Sequence, residues 1–179
     1  GTGTLTISFK KYKTSIPVEV GKLPNMIQTF ENITIGKEWI STIENKGNGG
    51  DGKVSINTDE RYVKFGKKSL RIDYDFRSAT ATTGVTAYQS GGYYKLEGYP
   101  TNIGMWVYGD GNGANVRIQI RDGKGAVQYI SFEPSVVDWV GWKYIETSIP
   151  TGLPTPIQIQ YPIRVMSVGG KVKTNGTLY

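Results

Sequence analysis

The side chains with the clearest chemical potential come from three short segments between residues 101 and 132. Each segment alternates apolar with other residues, and in a β-strand such alternation sends the two sets to opposite faces. One set suits a core: Ile103, Met105, Val107, Val116, Ile118, Ile120, Ile130 and Phe132. The other set combines aromatic rings with planar polar groups: Trp106, Tyr108, Arg117, Gln119, Arg121 and Tyr129. Sugar rings pack on aromatic faces and sugar hydroxyls pair with planar donors and acceptors, so this second face predicts carbohydrate binding.

Other tyrosines extend the same prediction. Tyr88, with Thr86, would share the outward surface if its strand joins the same sheet. Tyr93, Tyr94 and Tyr99 stand beside glycine and proline, where they could flank a ligand groove or cap one end of the fold. The structural alternative is a buried Trp106 with arginines that serve only solubility; a clustered set of exposed rings favours the binding interpretation.

Composition restricts the chemistry. The 179 residues contain neither cysteine nor histidine, which removes disulfides, thiolate nucleophiles, zinc–thiolate sites and the Ser-His-Asp arrangement. Carboxylate chemistry, lysine chemistry and calcium bound by oxygen remain. Glycoside hydrolysis needs two carboxylates facing each other, whereas Asp73 and Asp75 are two apart on one outward strand face and are typical of solvated residues. We therefore predict no catalytic residue.

Charge argues against two classes of partner. There are 21 Lys and Arg against 15 Asp and Glu, a net charge of +6, but the basic residues are scattered and only Lys10, Lys11 and Lys13 form a close cluster. Nucleic acid is therefore not expected as a partner. No apolar run is long enough to span a bilayer and the N-terminus lacks a signal-peptide pattern, so membrane insertion is not expected either. The lack of cysteine fits an extracellular bacterial protein without excluding a cytoplasmic one.

Strand and turn signals recur at the short spacing of an all-β fold. The 24 glycines and 8 prolines argue against helices. Leu70, Ile72, Tyr74 and Phe76 alternate with polar residues, and such an apolar face needs a second sheet to cover it. We predict a two-sheet antiparallel β-sandwich, a jelly roll or related Greek-key arrangement, with Trp142 and Tyr144 in its core. The predicted strands are 4–9, 15–20, 27–31, 38–43, 53–57, 69–76, 84–88, 93–96, 101–108, 115–121, 127–132, 141–147, 162–168 and 177–179.

The chain divides near residue 25. Two short strands cannot bury a core by themselves, and the segment 21–25 is linker-like because Pro24 disfavours helix at Leu23. Residues 1–25 are predicted to be the tail of a preceding small β-domain plus a linker, and residues 26–179 the sandwich. The glycine-rich segments 47–52, 109–113 and 122–125 are predicted turns.

The order of several landmarks resembles a known family. They are Phe30-Glu31, Trp39, the segment from Phe65 to Tyr74, the segment from Met105 to Asp110, and Trp139-Val140-Gly141-Trp142-Lys143. Together, over residues 27–179, they resemble bacterial carbohydrate-binding modules of the galactose-binding-like jelly-roll type, as appended to secreted glycan-active proteins such as phosphodiester glycosidases. Residues 1–21 resemble the end of an immunoglobulin-like surface repeat.

The resemblance implies an extracellular or cell-surface location and a glycan as partner, beside other domains of the same parent chain. It implies no required cofactor. In many relatives the early glutamate, here Glu31, and a later aspartate help to hold a structural calcium ion, and this chain stops at Leu178-Tyr179, before that aspartate. Glu31 is thus a candidate calcium ligand.

The function predicted from these observations is non-catalytic attachment of a secreted or cell-surface protein to a polysaccharide or cell-wall glycan. The predicted binding residues are Tyr88, Trp106, Tyr108, Arg117, Gln119, Arg121 and Tyr129. Two alternatives stay open: a structural spacer domain of a bacterial surface protein, and a small hydrolase that uses carboxylates.

Overall fold

A computed structural model describes residues 2–19 and 25–179. In these ranges the chain forms thirteen β-strands and three short 3-10 turns. The strands are β1 (Thr2–Phe9), β2 (Tyr12–Glu19), β3 (Trp39–Glu44), β4 (Asp51–Asn57), β5 (Ser69–Asp75), β6 (Thr83–Gln89), β7 (Tyr94–Leu96), β8 (Asn102–Asp110), β9 (Asn115–Arg121), β10 (Val127–Val136), β11 (Val140–Ser148), β12 (Ile157–Ser167) and β13 (Asn175–Leu178). Across the described ranges, no helix has the length and apolarity needed to cross a membrane.

The strands after residue 25 build two antiparallel layers. Layer one has the order β3-β6-β12-β9-β10, with the short β7 also paired to β12. Layer two contains β4, β5 and β13 and continues into β8 and β11. Two backbone hydrogen bonds make that continuation, from Tyr108 N to Tyr179 O at 2.7 Å and from Tyr179 N to Tyr108 O at 3.3 Å. The layers meet where β10 and β11 share the register pair Glu133–Glu146.

This arrangement confirms the predicted all-β sandwich. Most neighbours within a layer are distant in sequence, as β6 beside β12 and β8 beside β11 show, which is typical of Greek-key and jelly-roll connections. The inward faces of both layers supply one core. Phe76, Ile118 and Phe132 are fully buried there, and burying a side chain of this size contributes roughly 1.5–3 kcal/mol.

The structure corrects the predicted strand at 27–31. These residues are not in a strand, because the Gln28 side-chain oxygen accepts hydrogen bonds from the backbone N–H groups of Thr29 and Phe30, at 2.9 and 2.7 Å. Phe30 also has a φ of 64°, which is incompatible with an extended strand. Its ring packs edge-on against Trp39 of the core at 5.3 Å. The segment is therefore anchored by side chains instead of by a strand ladder.

The N-terminal residues form a separate two-stranded sheet, in which β1 and β2 pair over eight positions. Residues 20–24, which include most of the predicted linker, lie outside the described residues. That this hairpin ends an immunoglobulin-like domain stays a prediction.

The connection between β8 and β9 is not a hairpin. The two do not pair; β8 lies in layer two and β9 in layer one, so residues 110–114 cross between layers. Asp110 fixes this crossover. Its carboxylate accepts hydrogen bonds from the Tyr74 hydroxyl at 2.8 Å, from Thr177 N at 2.9 Å and from Asn112 N at 3.0 Å. Residues of β5 and β13 thus hold the turn to layer two.

Candidate functional site

The outward surface of layer one collects many of the polar and aromatic side chains. On β9 the residues Val116, Ile118 and Ile120 are buried in the core, which sends the residues between and after them outward. Cross-strand register continues this surface onto β10, β12 and β6. We name it the arginine face, and its members are Glu44, Thr86, Tyr88, Tyr93, Arg117, Gln119, Arg121, Tyr129, Gln160, Tyr161 and Arg164.

A buried ion pair stabilises the middle of the arginine face. Arg164 is only 2 % exposed, and it donates to Glu44 through Nε at 3.0 Å and through Nη2 at 2.5 Å. The Tyr129 ring covers its guanidinium, with 4.7 Å between the Arg164 Cζ and the ring centroid. In the described part of the chain, Arg164 Nη1 is buried and has no hydrogen-bond partner. One polar atom of this pair thus stays unsatisfied.

Arg117 lies opposite Arg164 in the register of β9 and β12. Its Nη2 donates to the Tyr129 carbonyl at 3.4 Å, and its Nε is buried without a partner among the described residues. Burial lowers the pKa of the Arg117 guanidinium, and the neighbouring Arg164 charge lowers it further, while Glu44 acts in the opposite direction. The described ranges contain no carboxylate within ion-pair distance of Arg117. Of these two neighbouring guanidinium groups, Arg164 is thus paired with Glu44 and Arg117 is not paired with a carboxylate.

Amide and phenol groups form a second polar cluster beside the arginines. Gln160 Oε1 accepts from Gln119 Nε2 at 2.7 Å and from Arg121 Nη2 at 3.3 Å. Gln160 Nε2 donates to the Tyr93 hydroxyl at 3.2 Å. The Arg121 Cζ lies 5.7 Å from the centroid of the Tyr93 ring. Gln119 is itself only 5 % exposed and lies beneath the surface, so Gln160, Arg121 and Tyr93 are the members that present planar donors and acceptors to solvent, as sugar hydroxyls need.

Three further rings give the arginine face its apolar contact area. Tyr88 and Tyr161 meet edge to face with ring centroids 4.8 Å apart. Tyr129 is 54 % exposed although Arg164 lies against its ring. A ring that is held on one side and open on the other can receive the C–H patch of a pyranose without losing much conformational freedom.

A depression of about 560 Å³ borders the arginine face at Arg117. Asn115 and Ser131 line its floor beside Arg117, and Lys171 and Lys173 come from the segment after β12. Its lining contains no acidic residue. The charged residues of its lining, Arg117, Lys171 and Lys173, are therefore all positive.

The structure does not bring Trp106 and Tyr108 to the arginine face. Their strand, β8, is separated from β9 by β10 and β11 in the sheet order, which corresponds to about 14 Å at ordinary strand spacing. Trp106 is 41 % exposed. Its ring neighbours are Phe65 at 6.2 Å and Tyr144 at 5.6 Å. The expectation of one surface that contains all seven predicted residues is thus corrected.

Trp106 and Tyr108 belong to the outward surface of layer two. Tyr144 stands opposite Trp106 and Trp142 opposite Tyr108 in the β8–β11 register. The sequence analysis placed Trp142 and Tyr144 in the core, and this prediction is wrong. The inward side of β11 is occupied by Ile145, so the two aromatic residues lie on the outward side. We name this surface the aromatic face, and its members are Tyr62, Lys64, Phe65, Trp106, Tyr108, Trp142, Tyr144 and Tyr179.

Glu31 is already engaged by groups of the protein, and its role as a calcium ligand stays a prediction. Glu31 Oε1 accepts the backbone N–H groups of Lys67 at 2.8 Å and Lys68 at 3.0 Å. The bond from Lys67 is the main cause that lowers the pKa of Glu31. The Lys68 ammonium donates to the Glu31 carbonyl at 2.8 Å, so a positive charge already lies beside this residue. No group of three or more acidic side chains in residues 2–19 and 25–179 is placed to hold a metal ion.

The acidic residues considered for catalysis are engaged by arginine. Asp73 binds Arg71 at 2.8 Å, and Asp75 binds Arg77 at 2.6 Å. Burial opposes ionisation of Asp73, but hydrogen bonds from Arg71 and Thr177 outweigh it, so the net effect is a lowered pKa. The strand pairing does place Glu133 opposite Glu146 at the junction of the layers, where Asn102 donates to Glu146 at 2.6 Å.

Four residues of the arginine face were missed by the sequence analysis as binding residues: Glu44, Gln160, Tyr161 and Arg164. The strand that carries three of them was predicted to begin at Pro162, whereas β12 begins at Ile157. The alternation of Ile157 and Ile159 with glutamines was the available signal, and nearby prolines obscured it.

Comparison with known proteins gives structural similarity alone. No protein-family model and no curated protein matches the sequence. The chain is similar to TmCBM61 in complex with β-1,4-galactotriose, at 14 % identity with a TM-score of 0.48 over 80 % of this chain and 90 % of that one. It is similar to the family 11 carbohydrate-binding module of the cellulase Lic26A-Cel5E of Clostridium thermocellum, at 16 % identity and a TM-score of 0.47 over 90 % and 91 %. The C-terminal family 22 module of Clostridium thermocellum Xyn10B follows at 15 % identity and 0.44 over 84 % and 86 %.

Proposed function

We propose that this protein is a non-catalytic carbohydrate-binding module and that the arginine face is its binding surface. The observation that carries the proposal is the combination of Tyr88, Tyr129 and Tyr161 rings with the hydrogen-bonded set around Gln160 on one outward sheet surface. The rings supply stacking area, while the amide and guanidinium groups supply paired donors and acceptors for hydroxyls. Strands hold all of these groups except Tyr93, which lies in the loop before β7, so little ordering is required on binding.

The role of the module is attachment. It holds a secreted or cell-surface parent protein on a polysaccharide or cell-wall glycan, which raises the effective concentration of the parent's other domains at that surface. We expect this attachment to require no cofactor, because stacking and hydrogen bonds can hold sugar rings by themselves.

The test is affinity electrophoresis of the protein through gels that contain a panel of soluble polysaccharides. We expect retardation by at least one glycan and a loss of that retardation in Tyr129→Ala. The matched control is Tyr144→Ala, because Tyr144 is 47 % exposed on the aromatic face and is comparable in exposure to Tyr129. A stacking contact between an aromatic ring and a sugar ring is worth on the order of 1 kcal/mol, so loss of the Tyr129 ring should weaken the affinity by about fivefold or more.

Three results would contradict the proposal. Retardation by none of the glycans favours the spacer alternative, and retardation that is lost in Tyr144→Ala but kept in Tyr129→Ala moves the site to the aromatic face. Release of sugars from the panel, abolished in Glu146→Gln, would indicate a hydrolase that uses the Glu133–Glu146 pair.

A further inference from the structure

The charge of the arginine face is not balanced within the protein. Arg117, Arg121 and Arg164 contribute three guanidinium groups, and Glu44 is the carboxylate that pairs with one of them. Among the described residues, Arg117 and Arg121 have no ion-pair partner. Their hydrogen bonds go to the Tyr129 carbonyl, the Gly125 carbonyl and Gln160, all of which are neutral.

Unsatisfied donors are concentrated at the same place. Arg117 Nε, Arg121 Nε and Arg164 Nη1 are buried side-chain atoms without a partner in the described structure. A buried donor on a charged group costs free energy when it is left unpaired. These atoms are closed to solvent, so a ligand would act on the charge of the guanidinium groups and not on these donors: a carboxylate beside Arg117 would supply the missing negative charge, whereas a neutral hydroxyl would not.

The depression beside Arg117 gives such a ligand room. Its volume of about 560 Å³ exceeds that of one sugar ring, and Lys171 and Lys173 continue the positive charge away from Arg117. The Lys173 ammonium donates to the Ala79 carbonyl, while Lys171 is exposed. Arginine favours planar carboxylates because its fork can donate two parallel hydrogen bonds.

From these observations, and resting on the proposed function, we infer that the glycan bound by the arginine face is acidic. A uronic acid residue places its carboxylate against Arg117 at the mouth of the depression, and neighbouring sugar rings of the same chain lie along Tyr129 toward Gln160. The neutral part of the chain is recognised by stacking and amide contacts, and the carboxylate distinguishes acidic glycans from neutral ones.

The experiment measures affinity for polygalacturonate, alginate and glucuronoxylan, each beside its carboxyl-reduced counterpart, in which the uronic acids have become neutral sugars. We expect binding to at least one acidic form and a loss of about tenfold or more on reduction, since a charge-assisted pair is lost. Arg117→Gln should lose a similar factor for the acidic form and little for the reduced one. Arg77→Gln is the matched control, because it removes the same charge from an exposed site that lies two residues beyond the end of β5.

Lys171→Gln gives an independent variant should Arg117→Gln fail to fold, since Lys171 is exposed and its removal should weaken binding of the acidic glycan severalfold. Dextran sulfate serves as a polyanion without uronic acid. Equal binding of acidic and reduced forms, or equal effects of Arg117→Gln and Arg77→Gln, overturns the inference while the proposed function stands. Binding of dextran sulfate that matches the uronic acid polymers shows general polyanion attraction and also overturns it. Absence of binding to every acidic and neutral glycan overturns the proposed function itself.

Discussion

Arg164 shows how a single residue can serve both stability and recognition. Its guanidinium is bound by Glu44 on one side and by the Tyr129 ring on another, so it holds the strand β3 and the aromatic side chain in place together. A buried charge is tolerated only when it is paired, and breaking such a pair by removing one partner costs several kcal/mol. The position of Tyr129 on the arginine face therefore depends on Glu44, although three strands, β6, β12 and β9, lie between their strands β3 and β10.

This dependence predicts the effect of Glu44→Gln. The substitution leaves Arg164 buried without its counter-charge, and because Glu44 is itself partly exposed we expect a loss of about 2 kcal/mol in the free energy of unfolding. Urea denaturation followed by tryptophan fluorescence measures it. Glu38→Gln is the matched control, since Glu38 pairs with Lys37 at 3.4 Å on the surface and its loss should change little. Equal losses of unfolding free energy in the two variants would show that the Glu44–Arg164 pair stabilises the protein no more than an exposed ion pair does.

At the scale of elements, the crossover between β8 and β9 determines which surface each strand presents. Asp110 is the acceptor that holds this crossover to β5 and β13. Burial, and next the Asp110 carboxylate, raise the pKa of the Tyr74 hydroxyl, so Tyr74 remains a protonated donor at neutral pH. Glycine at 176 is required there, because a Cβ would lie 1.9 Å from Asp110 Oδ2.

Asp110→Ala should therefore destabilise the protein by about 1–3 kcal/mol, since the buried Tyr74 hydroxyl and the Thr177 N–H lose their acceptor. Thermal and urea unfolding measure the loss. In a Tyr74→Phe background the same substitution should cost less, because no buried hydroxyl is then left unpaired. If the two substitutions have strictly additive effects, the hydrogen bond does not couple them and this account of the crossover is wrong.

The strands also show which part of the candidate site could be predicted from the sequence. Alternation within β9 identified Arg117, Gln119 and Arg121 as outward residues, because the period of a strand is a local property. Which strands lie beside one another, in contrast, depends on the whole fold and is not a local property. Trp106 faces outward as alternation indicates, yet its strand pairs with β11 and β13 and not with β9, so it reaches a different surface. Arg164 could not be placed without knowing that β12 lies between β6 and β9.

At the scale of the whole molecule, the sandwich has two outward surfaces of different chemistry. The arginine face is polar, basic and partly pre-organised by hydrogen bonds, while the aromatic face is a ladder of rings with Lys64 lying 4.2 Å from the Trp106 centroid. The net charge of the protein is +6, but its positive groups are not equally compensated on the two sides. On the side of layer two, Arg71 is paired with Asp73 and Arg77 with Asp75. A long-range attraction to acidic glycans would act through the unpaired charges of layer one.

The division of the chain near residue 25 leads to a prediction about the whole molecule. In the described ranges β1 pairs with β2 alone, and the first residue that packs against the described core is Phe30. Deletion of residues 1–25 should therefore leave the melting temperature and the glycan retardation unchanged, because the sandwich keeps its complete set of paired strands.

Deletion of residues 175–179 is the matched comparison, and it should prevent folding. It removes β13, which pairs with β5, carries the buried Leu178 and joins β8 through Tyr179. Differential scanning calorimetry and far-UV circular dichroism of both deletions measure the contrast. A fall of many degrees on removal of residues 1–25 would mean that the hairpin packs on the sandwich as part of one domain, because a free two-stranded sheet contributes nothing to the cooperative unfolding of its neighbour.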